Sequence, residues 1–310
     1  MAMLAPTPAG LAGRDLLSVD QLDRDQLIEL IDLADHLKML QGRGVPHRLL
    51  PGRTLAMIFQ KPSTRTRVSF EVGIGQLGGS AVVLSASEMQ LGRGESIEDT
   101  GIVLSRYVDA IMIRAGAHAE VEALAAAACV PVINGLTDLH HPCQALADVQ
   151  TLRERLGDLD GRTLAWVGDG CNNVCHSLIT AAGMLGMQVR VATPLGFEPD
   201  PAVVAAAGAV TVTDDPLEAV TGADAVATDV WTSMGQEAER DQRVSNLTPY
   251  QVNRALLSSA APGRIVLHCL PAHYGEEITH EVLHGPGSAT WDEAENRLHA
   301  QKALMAMVMA

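Results

Sequence analysis

Thr54-Leu-Ala-Met-Ile-Phe59 runs into Gln60-Lys-Pro-Ser-Thr-Arg-Thr-Arg67 and then Val68-Ser-Phe-Glu-Val72. The passage predicts a strand that ends in a turn and opens a helix, with Val68 and Val72 on one helical face and Phe70, Ile74 and Leu77 on another. Ser63 is a natural N-cap at the mouth of that helix. A helix N-terminus offers unpaired N–H groups and a partial positive charge, which suit an anion. Thr64 and Thr66 add hydroxyls, and Arg65 and Arg67 add guanidinium forks that match two phosphate oxygens at once. The stretch reads as a phosphate cradle; the same residues also fit a capped helix with two solvated arginines.

The surrounding chain sets limits on this reading. Its 310 residues allow about two domains with substantial cores. Hydrophobic residues make up 47% and charged residues 19%, as in a folded globular protein, while aromatics at 3% leave the core to Leu, Val, Ile, Ala and Met. A formal charge of -15 argues against a nucleic-acid surface, which needs clustered Lys and Arg, but leaves room for a small basic pocket. Five scattered cysteines, an odd number, suit free thiols in a reducing compartment rather than a disulfide framework. Cys171-x-x-x-Cys175 lacks a second ligand pair at metal spacing, so no metal is expected there. No apolar run approaches the roughly 20 residues of a membrane span. Residues 1–13 read as a short loose arm rather than a targeting peptide. The expected location is the cytoplasm, with no nucleic-acid or membrane partner.

Asp23-Arg-Asp-Gln26 resembles a capping box, and an apolar stripe follows it to Leu37. Gly73-Ile-Gly75-Gln-Leu-Gly78 matches a dinucleotide fingerprint letter for letter, but it sits inside and at the end of a helix instead of between a strand and a helix. It reads as helix packing and a C-cap. Residues 85–98, centred on Gln90-Leu-Gly92, form a polar loop. The strand at 109–114 ends in Arg114, which places that guanidinium with Ser63 to Arg67 at the carboxyl ends of strands, where ligands of open α/β sheets collect. An exposed arginine at a turn is the plainer reading. His140-His-Pro-Cys-Gln144 leads into a helix through Pro142, so His141 and Gln144 stand at another helix mouth. A packed or capping histidine is the ordinary alternative.

A second β/α series follows a turn-rich segment at 157–161. Strands are expected over 163–167, 188–192, 209–213, 223–230 and 264–270, and helices over 174–185, 201–207, 216–220 and 249–257. Alternation of this kind implies parallel sheets with right-handed crossovers. The fold class is therefore α/β, two domains, each a mainly parallel sheet flanked by helices, with a C-terminal helix packing back on the first. The expected divisions are 1–150, 151–290 and 291–310. Gly168-Asp-Gly-Cys-Asn-Asn173 occupies the place of a dinucleotide loop, but Asn173 replaces the third glycine, and no acid ends the next strand to meet a ribose. Its carboxamide suits a small zwitterion instead. Asp229 ends a strand, where it can pair with an α-ammonium, and Ser233 can add a hydrogen bond. Residues 235–246 form a long charged loop and a candidate lid.

Ser63-Thr-Arg-Thr-Arg67 after Phe-x-Lys-Pro, and His141-Pro-Cys-Gln144 with Asp148, resemble the two carbamoyl-phosphate motifs of the aspartate and ornithine carbamoyltransferases. Asp229-x-x-x-Ser233-Met234 and His268-Cys-Leu-Pro-Ala272 resemble the signatures of the ornithine branch, and Asp292-Glu-Ala-Glu-Asn-Arg297 resembles the start of the family's last helix. The resemblance runs from about residue 14 to the C-terminus. It implies carbamoyl transfer from carbamoyl phosphate to the side-chain amine of L-ornithine, with no cofactor and no metal. By the same resemblance, Ser63, Thr64, Arg65, Thr66, Gln90, Arg114, His141, Pro142, Cys143, Gln144, Cys269, Leu270 and Arg297 belong to the carbamoyl-phosphate site. Asn173, Asp229, Ser233 and Met234 belong to the ornithine site, and Arg65, Arg114, His141 and Cys269 are the catalytic set. The family's trimers, with active sites near subunit interfaces, imply a homotrimer. Open alternatives are a transferase for another amine acceptor, an NAD-dependent oxidoreductase, and an amino-acid-binding protein without turnover.

Overall fold

The computed structural model describes residues 10–87, 89, 94–232 and 237–310. The chain divides into two compact units, one running through Ala147 and resuming at Asn296–Ala310, the other Asp148–Glu295.

The first unit opens with α1 (Arg24–Gly42), followed by β1 (Thr54–Phe59), α2 (Thr64–Gln76), β2 (Ser80–Ser85), α3 (Ile97–Leu104), β3 (Ala110–Arg114), α4 (His118–Ala127) and β4 (Val132–Leu136). The capping box is present: the Gln26 N–H donates to Asp23 Oδ1 at 2.8 Å, and the Asp23 N–H to Gln26 Oε1 at 3.1 Å. Strand order is β2-β1-β3-β4, parallel throughout. Leu55 to Ile58 are completely buried, as expected of a strand covered on both faces. Ala56, Ile58, Ile111 and Ile113 join Val121 and Leu124 in one core cluster. The fingerprint-like glycines lie where the sequence puts them: Gly73 within α2, and Gly78, with φ +91°, just beyond its end.

α5 (Pro142–Leu156) begins in the first unit and ends in the second. The second unit continues with β5 (Thr163–Val167), α6 (Asn173–Met184), β6 (Gln188–Ala192), α7 (Pro201–Ala207), β7 (Val210–Thr213), α8 (Pro216–Val220), β8 (Ala225–Thr228), α9 (Arg240–Leu247), α10 (Arg254–Leu257), β9 (Ile265–His268) and α11 (His280–Leu283). α12 (Thr290–Val308) starts here and belongs to the first unit from Asn296. The five strands run in parallel in the order β7-β6-β5-β8-β9. No helix among the described residues is long and apolar enough to cross a membrane.

Two details depart from the sequence reading. The supposed loop at 235–246 is largely helical, with a 3₁₀ turn at Glu237–Glu239 leading into α9. Arg243 and Leu247, four residues apart, are buried on one face, and a polar composition concealed that stripe. The helix expected over 249–257 is split into a 3₁₀ turn at Thr248–Tyr250 and the short α10, because Val252 between them donates its N–H to Glu277 O at 2.8 Å.

α6 and α7 approach closely at Gly183, where an added Cβ would collide with the Ala207 carbonyl oxygen. Gly183→Ala is expected to destabilise the second unit by about 1–3 kcal/mol through overpacking, measured as a lowered urea midpoint; an unchanged midpoint would show that the two helices can separate freely.

Candidate active site

In an open parallel sheet, a crevice forms where strand order reverses, because the connections on either side leave in opposite directions. In the first unit that point lies between β1 and β3, where Phe59 is level with Arg114. Gln60 stitches the two strand ends together. Its N–H donates to Arg114 O at 3.0 Å, and its Oε1 accepts from the Gly116 N–H at 2.9 Å. Ser63 caps α2, accepting from the Thr66 N–H at 3.4 Å and donating to Thr66 Oγ1 at 3.1 Å. Arg297 of α12 donates to Thr66 Oγ1 at 3.4 Å and to Gln144 Oε1 at 2.7 Å, so one guanidinium joins the cradle to the mouth of α5. Arg114, His141, Gln144 and Arg297 are all buried. Burial, and then the positive charges of Arg297, Arg114 and Arg65, hold the His141 imidazole well below its usual range. It is therefore neutral at physiological pH and able to donate one ring N–H without adding charge.

The two arginines of the cradle separate in role. Arg65 acts electrostatically on His141, while Arg67 is exposed and pairs with Glu71 along the helix at 3.3 Å. Thr64 is exposed at the first position of α2. Pro142 opens α5. Cys143 lies beneath, its Sγ 3.4 Å from Asn134 O and its thiol pushed up to about 12 by burial, so it packs as a small apolar side chain. Gln90, Ser233 and Met234 lie outside the described residues.

In the second unit the order reverses between β5 and β8. Asn172, which caps α6, donates from Nδ2 to Asp229 Oδ2 at 3.0 Å, while Cys269 Sγ donates to Asp229 Oδ1 at 3.0 Å from the end of β9. Asp229 is buried, its two oxygens held in fixed directions. Burial, and then the Asp229 charge, push the Cys269 thiol well up. Cys269 is a thiol donor, not a thiolate nucleophile. Asn173 follows as the first residue of α6 and is half-buried. Leu270 adopts φ +59°, rare for a bulky residue, with its N–H donated to His268 Nδ1 at 2.9 Å. That bond makes Nδ1 the acceptor, so the His268 Nε2–H donates to Glu277 Oε1 at 3.0 Å. The His268 N–H donates to Glu293 Oε2 at 2.8 Å, and burial, then the neighbouring Asp148 charge, push the Glu293 carboxyl well up.

Several of these residues escaped the sequence reading. Arg243 donates from Nε to the Trp231 carbonyl at 2.6 Å, pairs through Nη2 with the buried Asp169, and stacks 4.9 Å from the Phe197 ring centroid. It therefore clamps the segment after β8 to the turn after β5. Asn172, beside the Asn173 singled out from the sequence, caps α6 and reaches Asp229, a contact between residues far apart in sequence. Two clusters, Asp229 with His268 and Cys269 and His273 with Glu276 and Glu277, bring potential metal ligands within 4.8 Å. Hydrogen bonds already engage Asp229, Cys269 and both ring nitrogens of His268, while Glu276 and Glu277 hold Arg240 and His268.

One unit thus carries a helix N-terminus lined by guanidiniums, the arrangement of an anion cradle, and the other carries a buried carboxylate held by two donors. Residues 14–154 match the carbamoyl-P binding domain of aspartate/ornithine carbamoyltransferase, and residues 160–308 match its Asp/Orn binding domain. The chain belongs to the aspartate/ornithine carbamoyltransferase family. It is 56% identical to the ornithine carbamoyltransferase of Carboxydothermus hydrogenoformans, over 97% of this chain and 99% of that one. It is 57% identical to that of Methanothermobacter thermautotrophicus, over 96% and 99% of the two chains. The Pyrococcus furiosus ornithine carbamoyltransferase structure superposes with a TM-score of 0.94 at 53% identity, covering 97% of this chain and 99% of that one. That of Thermus thermophilus gives 0.88 at 45% identity, covering 96% and 99%.

Burial raises the Asp169 carboxyl to about 6, against the pull of Arg243. An acid whose folded pKa exceeds its unfolded value binds more protons in the folded state, so its contribution falls as pH rises between the two values. From pH 4 to about 6, the native chain should therefore lose stability relative to Asp169→Asn, by an amount of order 2–3 kcal/mol. Denaturant titrations at both pH values check this, and a constant difference between the two proteins would contradict it.

Proposed function

We propose that the chain transfers the carbamoyl group of carbamoyl phosphate to the side-chain amine of L-ornithine, releasing L-citrulline and phosphate. The observation that carries this reading is the doubly held Asp229 at one switch point, matched by the Thr66–Arg297–Gln144 cluster at the other. The P. furiosus relative is named an anabolic ornithine carbamoyltransferase, which supports the biosynthetic direction, towards arginine.

Carbamoyl phosphate has a good leaving group and a resonance-weakened carbonyl. Ser63, Thr64, Arg65 and Thr66 bind its phosphate, with the N-terminus of α2 behind them. Arg114 and the neutral His141 donate to the carbonyl oxygen as it gains negative charge. Gln144, already oriented by Arg297, and the backbone around Leu270 take the carbamoyl NH2. Asn173, Asp229, Ser233 and Met234 hold the amino-acid end of ornithine, and Cys269 lies by the side-chain amine. Attack by the uncharged amine forms the C–N bond, the C–O bond to phosphate breaks, and a proton leaves the nitrogen. Positioning and charge stabilisation suffice for transfer from an activated donor.

The homotrimer is what the family resemblance implies, and Val68 and Val72 on α2 and Val82 on the edge strand β2 leave apolar side chains exposed in the single chain that an interface between copies would cover. A cytoplasmic location is supported by five free thiols.

Arg65→Ala is expected to keep the native circular-dichroism spectrum and melting profile while lowering kcat/KM at least about 10³-fold; normal turnover would remove the phosphate-cradle assignment. Supplied separately with ornithine, putrescine, N-acetylornithine and aspartate, the enzyme should form carbamoylated product with ornithine alone. Product from another acceptor would retain the carbamoyl-phosphate half and overturn the assignment of Asp229, Ser233 and Met234.

A further inference from the structure

Lys302 is completely buried in α12. Its Nζ lies 2.8 Å from Gln41 Oε1, 3.0 Å from Gln76 Oε1 and 3.1 Å from His47 Nε2. His47 Nδ1 is 3.0 Å from Val45 O, which can only accept, so the neutral ring carries its proton on Nδ1 and presents a lone pair at Nε2. All three acceptors are therefore met by donation from Nζ, and three N–H donors are what an ammonium has. Burial lowers this group to about 8, which leaves it mostly charged at neutral pH. A buried ammonium held by three neutral acceptors is costly to keep and has no part in the chemistry described above.

Its value lies in what the three acceptors belong to. Gln41 ends near the C-terminus of α1, and His47 follows in the connection to β1. Gln76 is the last residue of α2, whose first turn is the phosphate cradle. α2 and α12 are tied at three levels: Thr66 to Arg297, Ser69 to Gln301 at 2.7 Å, and Gln76 to Lys302. These span roughly 15 Å along α2 and about half that along α12 at 1.5 Å per residue. Between them, a Cβ on Gly73 would stand 3.1 Å from Met305 Cε and 3.2 Å from Lys302 Cγ, so the absence of a side chain there permits the close approach.

We infer that Lys302 is a positioning residue of the carbamoyl-phosphate site: its bond to Gln76 fixes the register of α2 against α12 and thereby holds Arg297 against Thr66 and Gln144. The inference rests on the assignment of the Ser63–Thr66 turn to carbamoyl phosphate. It gives the glycine at position 73 a reason unrelated to dinucleotides.

The test separates the legs of the tripod. Gln76→Met removes the α2 leg and Gln41→Met the α1 leg, and Lys302→Met removes all three legs, that to His47 included. Gln76→Met and Lys302→Met should raise KM for carbamoyl phosphate by about an order of magnitude, with KM for ornithine at saturating carbamoyl phosphate changed less than about two-fold. Gln41→Met should lower the melting temperature without moving either constant. Equal KM values for carbamoyl phosphate in Gln76→Met and Gln41→Met, raised or not, would overturn the inference, and this comparison holds even where Lys302→Met does not fold. Arg65→Ala run alongside distinguishes the two levels: if it too leaves carbamoyl-phosphate binding unchanged, the assignment of the site itself has failed.

Discussion

A buried imidazole beside guanidiniums cannot readily take a second proton, and the first unit is arranged around one such imidazole, His141. Burial lowers the pKa of His141 most, and the charges of Arg297, Arg114 and Arg65 add to that effect. The arrangement leaves His141 as a neutral donor. The surrounding structure serves this arrangement. β1 and β3 deliver Arg65 and Arg114 to one end of the sheet, Gln60 holds those strand ends together, and α12 brings Arg297 to Thr66 and Gln144.

The second unit solves the opposite problem with the same architecture. There the switch point holds a buried carboxylate, and its two oxygens receive one donor each, from Asn172 and Cys269. A carboxylate so held is fixed in orientation, and its remaining lone pairs point in set directions. Neither thiol in the proposed site is a nucleophile, since burial keeps both Cys143 and Cys269 protonated. The chemistry is left to position and charge, in keeping with a donor that is already activated.

Much of this was legible in the sequence because local chemistry and fold agree there. The strand over 54–59, the Ser63 cap, Arg114 at a strand end and Pro142 at a helix start each follow from a rule about backbone geometry, and the structure places them accordingly. What escaped has physical reasons. Arg243 is polar by type but buried by context, held by Asp169, the Trp231 carbonyl and the Phe197 ring, all distant in sequence. The carboxyl pair Asp148 and Glu293 and the Lys302 tripod likewise depend on long-range contacts that periodicity cannot show. The split around Val252 arises from an isolated bridge to Ile278, a tertiary event that overrides the local helical pattern.

The most direct test of the central claim is a crystal structure of the enzyme with carbamoyl phosphate and norvaline, an ornithine analogue that lacks the reacting amine and so cannot consume the donor. The account predicts phosphate oxygens on Ser63 to Thr66, the carbonyl oxygen within hydrogen-bonding distance of Arg114 and His141, and the amino-acid ammonium at Asp229. Phosphate bound away from the N-terminus of α2, or norvaline bound with no contact to Asp229, would contradict it.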